Sequence, residues 1–168
     1  MVDVTVRRAR TADVRGIGGL IEAYANDRRV LSKPMVSLYE DVQEFWVAER
    51  VEDARIVGCG AVHVLWEDLA EFRTVAVDPS CRGQKIGHRI MTELLATARW
   101  LGVQRVFVLT FETRFFGSFG FVEIDGMPVP PPVYEELLRS YDEGVAEFLD
   151  LERVKPNTLG NTRMLLHL

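Results

Sequence analysis

Thr74-Val75-Ala76-Val77-Asp78-Pro79-Ser80-Cys81-Arg82-Gly83-Gln84-Lys85-Ile86-Gly87-His88-Arg89-Ile90 is the stretch on which the fold turns. A strand-forming run ends at Asp78-Pro79, a turn signal, and a basic, glycine-bearing loop follows. Ile86, Ile90, Met91, Leu94, Leu95, Ala98 and Leu101 then keep helical spacing until Gly102 stops the helix. Six consecutive backbone amides, Arg82 through Gly87, therefore fall where a loop becomes a helix N-terminus. There, N–H groups and the positive end of the helix dipole bind phosphate oxygens. Gly83 and Gly87 allow close approach of a ligand, and Arg82 and Lys85 add full charges. So short a glycine pattern also occurs in ordinary solvated loops, and the surrounding elements decide between the two readings.

Upstream, Ile56 to Trp66 and Ala70 to Val77 flank the polar pair Glu67-Asp68 and predict an antiparallel hairpin. Phe45 to Ala48 forms a further strand, preceded by a short helical turn over Ser37 to Val42. Val2, Val4 and Val6 alternate with polar partners, the period of a half-buried strand. Thr11 then offers an N-cap for a helix carrying Val14, Ile17, Ile21 and Tyr24. Gly16, Gly18 and Gly19 in that helix match no phosphate loop, because no Gly-Lys-Ser/Thr follows; they read as sites of tight packing.

Downstream, Val106 to Leu109 has no polar alternation and is expected to be buried on both faces of a sheet. Arg114 to Ile124 reads as a short helix that breaks at Gly120 into a strand. A proline-rich hinge, Pro128 to Pro132, precedes two helical patterns (Tyr134, Leu137, Leu138, Tyr141; then Val145, Phe148, Leu149) and a last strand, Met164 to Leu168. The order predicts a mixed α/β fold, and 168 residues predict one domain, residues 1–168.

The composition, 48% hydrophobic and 27% charged, supports a real core. A net charge of −5 argues against nucleic acid as a partner, since phosphate neutralisation needs a basic surface. No stretch approaches the ~20 apolar residues of a membrane span. The start, MVDVTVRRAR, lacks the basic-then-apolar order of a signal peptide, so a cytoplasmic protein with no membrane partner is expected. Cys59 and Cys81 form no CxxC and read as free thiols, and His63, His88 and His167 show no metal-ligand spacing, so no metal is expected. The acid-rich run 123 to 153 reads as a solvated face.

The three parts Val75-Ala76-Val77-Asp78-Pro79, Arg82 to Gly87, and Phe115-Phe116-Gly117-Ser118-Phe119-Gly120-Phe121 resemble the acetyl-CoA-binding motif of the GCN5-related N-acetyltransferases (GNAT). In that family a strand ending in V-A-V-x-P leads to R/Q-x-x-G-x-G/A and, some 30 residues later, F-F-x-x-x-G-F. More narrowly, Glu71 to Val77, Phe107 to Thr110 and Lys155 to Leu168 are similar to the short amino-acid N-acetyltransferases that act as N-acetylglutamate synthases, the first step of arginine biosynthesis. The resemblance implies a central, mostly antiparallel twisted sheet of six to seven strands flanked by helices on both faces. It implies acetyl-CoA as co-substrate and a small amino acid as acceptor, and leaves open whether the chain forms a homodimer. Lys85 departs from the family pattern, which has glycine there, so its side chain must point outward. Phe116 stands where many relatives place a tyrosine that protonates the departing thiolate.

Carried onto this sequence, the resemblance lays the pantetheine arm against Val75, Ala76 and Val77 and the diphosphate on Arg82, Gly83, Gln84, Lys85, Ile86, Gly87 and His88. The N–H near Val75 would polarise the thioester carbonyl, an oxyanion-hole role open to any side chain. An α-ammonium with a pKa near ~8 needs only modest help to lose its proton. Glu71 is the first candidate base, four residues before Val75 on the same strand and on the same side by period two. His63 is the competing base, and Thr113 is the hydroxyl nearest the tyrosine slot. Lys33 and Arg73, then Lys155, Asn161 and Arg163, are the candidates to hold the carboxylates or amide of glutamate or glutamine. Another amine acceptor (a protein N-terminus, polyamine or aminoglycoside) and a non-catalytic acyl-CoA-binding domain are the alternatives.

Overall fold

The computed structural model describes residues 1–25, 33–126, 128–142, 145, 149 and 161–168. Its strands are β1 (Val4–Arg8), β2 (Phe45–Arg50), β3 (Ile56–Trp66), β4 (Leu69–Val77), β5 (Arg105–Thr110), β6 (Val122–Glu123) and β7 (Thr162–His167). Helices whose bounds lie among the described residues are α1 (Val14–Ala25), α2 (Met35–Glu40), α3 (Ile86–Trp100), α4 (Thr113–Gly117) and α5 (Pro131–Leu137). The strands form a seven-stranded sheet in the order β1-β2-β3-β4-β5-β7-β6. The pairs β1/β2, β2/β3, β5/β7 and β6/β7 are antiparallel, and β4/β5 is parallel. This is the mostly antiparallel mixed α/β sheet expected from the resemblance.

The chain clusters into two compact units, one of Met1–His63 with Phe72–Trp100, the other of Val64–Glu71 with Leu101–Leu168. In the first, β3 serves two helical layers because successive side chains leave a strand on opposite faces. Cys59 and Ala61 enter a core with Ile17 and Ile21 of α1, Leu38 of α2, and Phe45 and Val47 of β2. Gly58 and Gly60 lie under α3: a Cβ on Gly58 would stand 2.8 Å from Ile90 Cδ1, and one on Gly60 would stand 2.9 Å from Leu94 Cδ1. These missing side chains let α3 rest directly on the strand.

Thr11 does not cap α1. Residues Thr11–Asp13 form a 3-10 turn with Arg10 at its N-cap, and the carboxylate of Asp13, third in the turn, reaches back to accept the Arg10 N–H at 2.7 Å and both Arg7 guanidinium arms at 2.7 and 2.9 Å. A bidentate guanidinium recruits an anion far more strongly than a hydroxyl, and Arg7 reaches this point from β1. The Arg7 hydrogen bonds hold the Asp13 carboxyl below its ordinary range despite partial burial.

In the second unit, Leu65 and Leu69 pack with Phe107 of β5, Leu165 of β7, Leu137 of α5, and with Val129, Val145 and Leu149. Val106, Phe107 and Val108 are buried, as their unbroken apolar run predicts. The prolines after residue 127 do more than form a hinge: Pro131 starts α5, where a missing N–H costs nothing and a fixed φ suits the helix. α5 ends at Leu137, short of the expected pattern, and Tyr141 lies exposed beyond it. The second pattern falls mostly outside the described residues. Both cysteines are free and buried, and burial pushes the Cys59 thiol up to about 12. Among the described residues, no helix is long and apolar enough to cross a membrane.

Candidate active site

At the end of β4 the chain is turned by Asp78, whose carboxylate accepts the Ser80 N–H at 2.9 Å and the Ser80 hydroxyl at 2.7 Å. The Arg55 guanidinium adds a bond at 3.0 Å, and the Asp78 N–H donates to Val57 O at 2.8 Å. These donors, the Ser80 hydroxyl first, keep the carboxyl below its ordinary range. The carboxylate caps the 3-10 turn Pro79–Cys81, which carries proline at its first position. The loop then bends through Gly83 (φ 78°) and Lys85 (φ 59°) into α3. The Arg89 N–H returns to Lys85 O at 3.1 Å, so Lys85 is the cap and the amides that follow it open the helix. Arg82, Gly83, Lys85 and His88 are exposed, Gln84 and Gly87 half-buried, and Ile86 buried against Gly58. The basic loop and the positive helix end thus coincide, which is the arrangement that holds a diphosphate.

Lys85 adopts the left-handed conformation at the position where the resembled motif has glycine, and its side chain is exposed. An L-residue there carries about 1–2 kcal/mol of strain, whereas glycine carries only its greater entropy loss. Lys85→Gly is accordingly expected to raise the stability of the protein alone by about 1 kcal/mol in urea titration.

The neighbouring strand segment carries a second outlier. Thr74, in the middle of β4, has φ 56°, and its carbonyl accepts the Cys59 thiol at 3.2 Å. A β-branched residue with positive φ is rare, and such strain, about 1–3 kcal/mol, concentrates at functional sites. It breaks the regular extended path one residue before Val75. The period-two count from Glu71 to Val75 runs through this kink. Val75 is half-buried with its side chain toward Gly60, Ala76 lies in the core, and the Val77 carbonyl accepts the Tyr24 hydroxyl of α1. Threonine is a strand former, so no sequence signal marks the kink.

His63, on β3, places Nδ1 2.8 Å from Glu44 Oε1. In the tautomer protonated on Nδ1, that nitrogen donates to the Glu44 carboxylate. Glu44 was not among the sequence candidates; it lies 19 residues away and is brought in by the β2/β3 pairing. Its other oxygen, Oε2, is buried with no hydrogen-bond partner among the described residues. Arg73 is buried on β4, and Lys33, just before α2, is half-buried. These residues, the loop and Val75 to Val77 belong to the first unit.

The second unit carries Glu71, Thr113, Asn161 and Arg163. Glu71 is 6% exposed and stands opposite Phe107 in the parallel β4/β5 register. Thr113 is the exposed first residue of α4. Phe116 is buried edge-on against Phe115 and Phe121 at 5.1 and 5.5 Å, so the tyrosine slot holds only hydrocarbon. Arg163 pairs with Leu109 across β5/β7 and donates to Gly126 O at 3.3 Å, and half-buried Asn161 leads into β7. Lys155 lies outside the described residues. Among those described, no group of three or more His, Cys, Asp or Glu is placed to hold a metal ion.

A family model described as an acetyltransferase (GNAT) domain matches residues 41–123. An amino-acid acetyltransferase of Mycobacterium tuberculosis is 61% identical over 96% of this chain and 92% of its own length. A solved Mycobacterium tuberculosis structure in complex with CoA and NLQ superposes with a TM-score of 0.93 at 61% identity, covering 98% of this chain and 99% of that one. N-acetylglutamate synthase from Neisseria gonorrhoeae, complexed with coenzyme A and N-acetyl-glutamate, has the same fold at 20% identity, with a TM-score of 0.76 over 100% of this chain and 36% of that one.

Proposed function

Because the chain belongs to the GNAT family of acetyltransferases, we propose that it moves the acetyl group of acetyl-CoA to the α-amino group of glutamate or glutamine. The observation that carries this reading is 61% identity, over nearly the full length of both chains, to an amino-acid acetyltransferase, whereas the GNAT match alone leaves the acceptor open. Lys33 and Arg73, two cations of the unit that also carries the loop, support an acceptor with carboxylates or an amide to hold.

Acetyl-CoA supplies the acetyl thioester. The amides from Arg82 to His88, with the Arg82 and Lys85 charges, hold its diphosphate and aim the thioester along Val75 to Val77. The N–H near Val75 takes the charge that develops on the carbonyl oxygen as the amine nitrogen attacks. Glu71, or His63 held by Glu44, accepts the proton lost by the acceptor ammonium. The carbon–sulfur bond then breaks, and with Phe116 in the tyrosine slot the thiol leaves as thiolate or takes its proton from solvent; an ordinary thiol with a pKa of about 8.5 leaves readily enough for that.

Mixing the protein with acetyl-CoA and a panel of amino acids and basic amines, and following release of the free CoA thiol, tests the proposal. Turnover with glutamate or glutamine is expected. Turnover confined to basic amines would transfer the role to another acceptor, and CoA binding without turnover would leave only an acyl-CoA-binding domain.

A further inference from the structure

The phosphate loop is pinned from a distant part of the chain. The Gln84 side-chain oxygen accepts the backbone N–H of Val2 at 2.5 Å, across 82 residues of sequence. Val2 is itself a fixed post. Asp3 O accepts the Val51 N–H at 3.0 Å, and β1 begins at Val4, paired with Arg50. The bond thus runs from the anchored lead-in of β1 to the middle of the loop.

Its place in the loop gives it a purpose. Gln84 sits between the two left-handed residues Gly83 and Lys85, where the backbone reverses twice within three residues. Backbone bonds secure the flanks, Arg82 N–H to Pro79 O at 3.4 Å and Arg89 N–H to Lys85 O at 3.1 Å. The Gln84 side chain secures the centre. A loop already ordered before its ligand arrives does not lose that freedom on binding, and its affinity is higher for it.

We infer that Val2 and Gln84 are positioning residues that hold the amides of residues 83–87 in their phosphate-binding arrangement, with the Gln84 side chain serving as a brace and not as a ligand. The inference rests on the reading of this loop as the cradle for the diphosphate of CoA.

Proline has no N–H, so Val2→Pro removes the donor without touching the loop, and Gln84→Met removes the acceptor at nearly constant length. Val2→Ala is the reference that loses side chain but keeps the N–H. All are made with a short N-terminal extension, so that residue 2 stays within a peptide chain, and their thermal midpoints confirm folding. Calorimetry with CoA is expected to give a Kd raised about 3- to 10-fold in Val2→Pro and in Gln84→Met, the worth of one hydrogen bond. The double variant is expected to be no weaker than the weaker single one, since both remove the same bond. KM for acetyl-CoA should rise with Kd by more than kcat falls. Multiplying losses in the double variant, equal losses in Val2→Pro and Val2→Ala, or a wild-type Kd in either single variant would overturn the brace. If the unaltered protein gives no heat with CoA, the cofactor reading itself fails.

Discussion

Gly60→Val is expected to destabilise the protein by about 1–3 kcal/mol, the range for forcing extra methyl groups into a packed core, and to weaken CoA binding along with stability. A Cβ at this position would stand 2.9 Å from Leu94 Cδ1, 3.0 Å from Ile90 Cγ2 and 3.4 Å from Val75 Cγ2. Every one of those atoms belongs either to α3 or to the strand segment that leads to the loop. The two γ-methyls of valine have no room between them, and the two tightest contacts, Leu94 and Ile90, are fully buried side chains that cannot swing into solvent. Relief therefore has to come from α3 lifting off β3, and the N-terminus of α3 is the part that would hold the phosphates. Urea titration reads the first effect and calorimetry with CoA the second. A variant at Gly102, whose Cβ would meet nothing within 4 Å, is the comparison for a change outside this contact, although its positive φ adds strain of its own. If Gly60→Val lost stability but kept its CoA affinity, α3 would not be the element that sets the loop.

The parts of this molecule that were legible in the sequence are those written in local chemistry. Asp78-Pro79 ends a strand wherever it occurs, the spacing of Ile86, Ile90, Met91 and Leu94 is that of a buried helix face, and Val106 to Val108 has no polar residue to turn outward. The parts that were not legible depend on partners distant in the chain. Thr11 has the local chemistry of a cap, but Arg10 takes that position, its N–H held by an Asp13 carboxylate that Arg7 reaches from β1. Glu44 meets His63 only because β2 pairs with β3, and Val2 meets Gln84 only because the start of the chain runs beside the loop. Thr74 is the sharpest case, since a residue with strand preference is held in a conformation that strands exclude. The three-dimensional surroundings impose that strain, and no reading of residue types anticipates it.

Glu71→Gln is expected to lower the acetyl-transfer rate at neutral pH by at least about 10-fold, below the usual range for a positioned base because water can carry part of the proton transfer. The amide keeps the shape of the carboxylate and removes its ability to accept a proton. Glu71 lies buried on β4 beside Phe107, in the strand that also carries Val75, so the substitution adds no bulk. A loss of rate can arise from disturbed packing as well as from a missing base, and pH separates the two. A base matters only while the acceptor amine arrives protonated. As pH rises through the acceptor's own ammonium range, the free amine becomes abundant, and the ratio of wild-type to variant rates should shrink toward one. A packing defect would leave that ratio constant with pH. An unchanged rate at neutral pH would move the proton to the His63–Glu44 pair or to water, and His63→Gln then decides between them: a large loss with the same narrowing at high pH identifies the imidazole, and no loss leaves water as the acceptor of the proton.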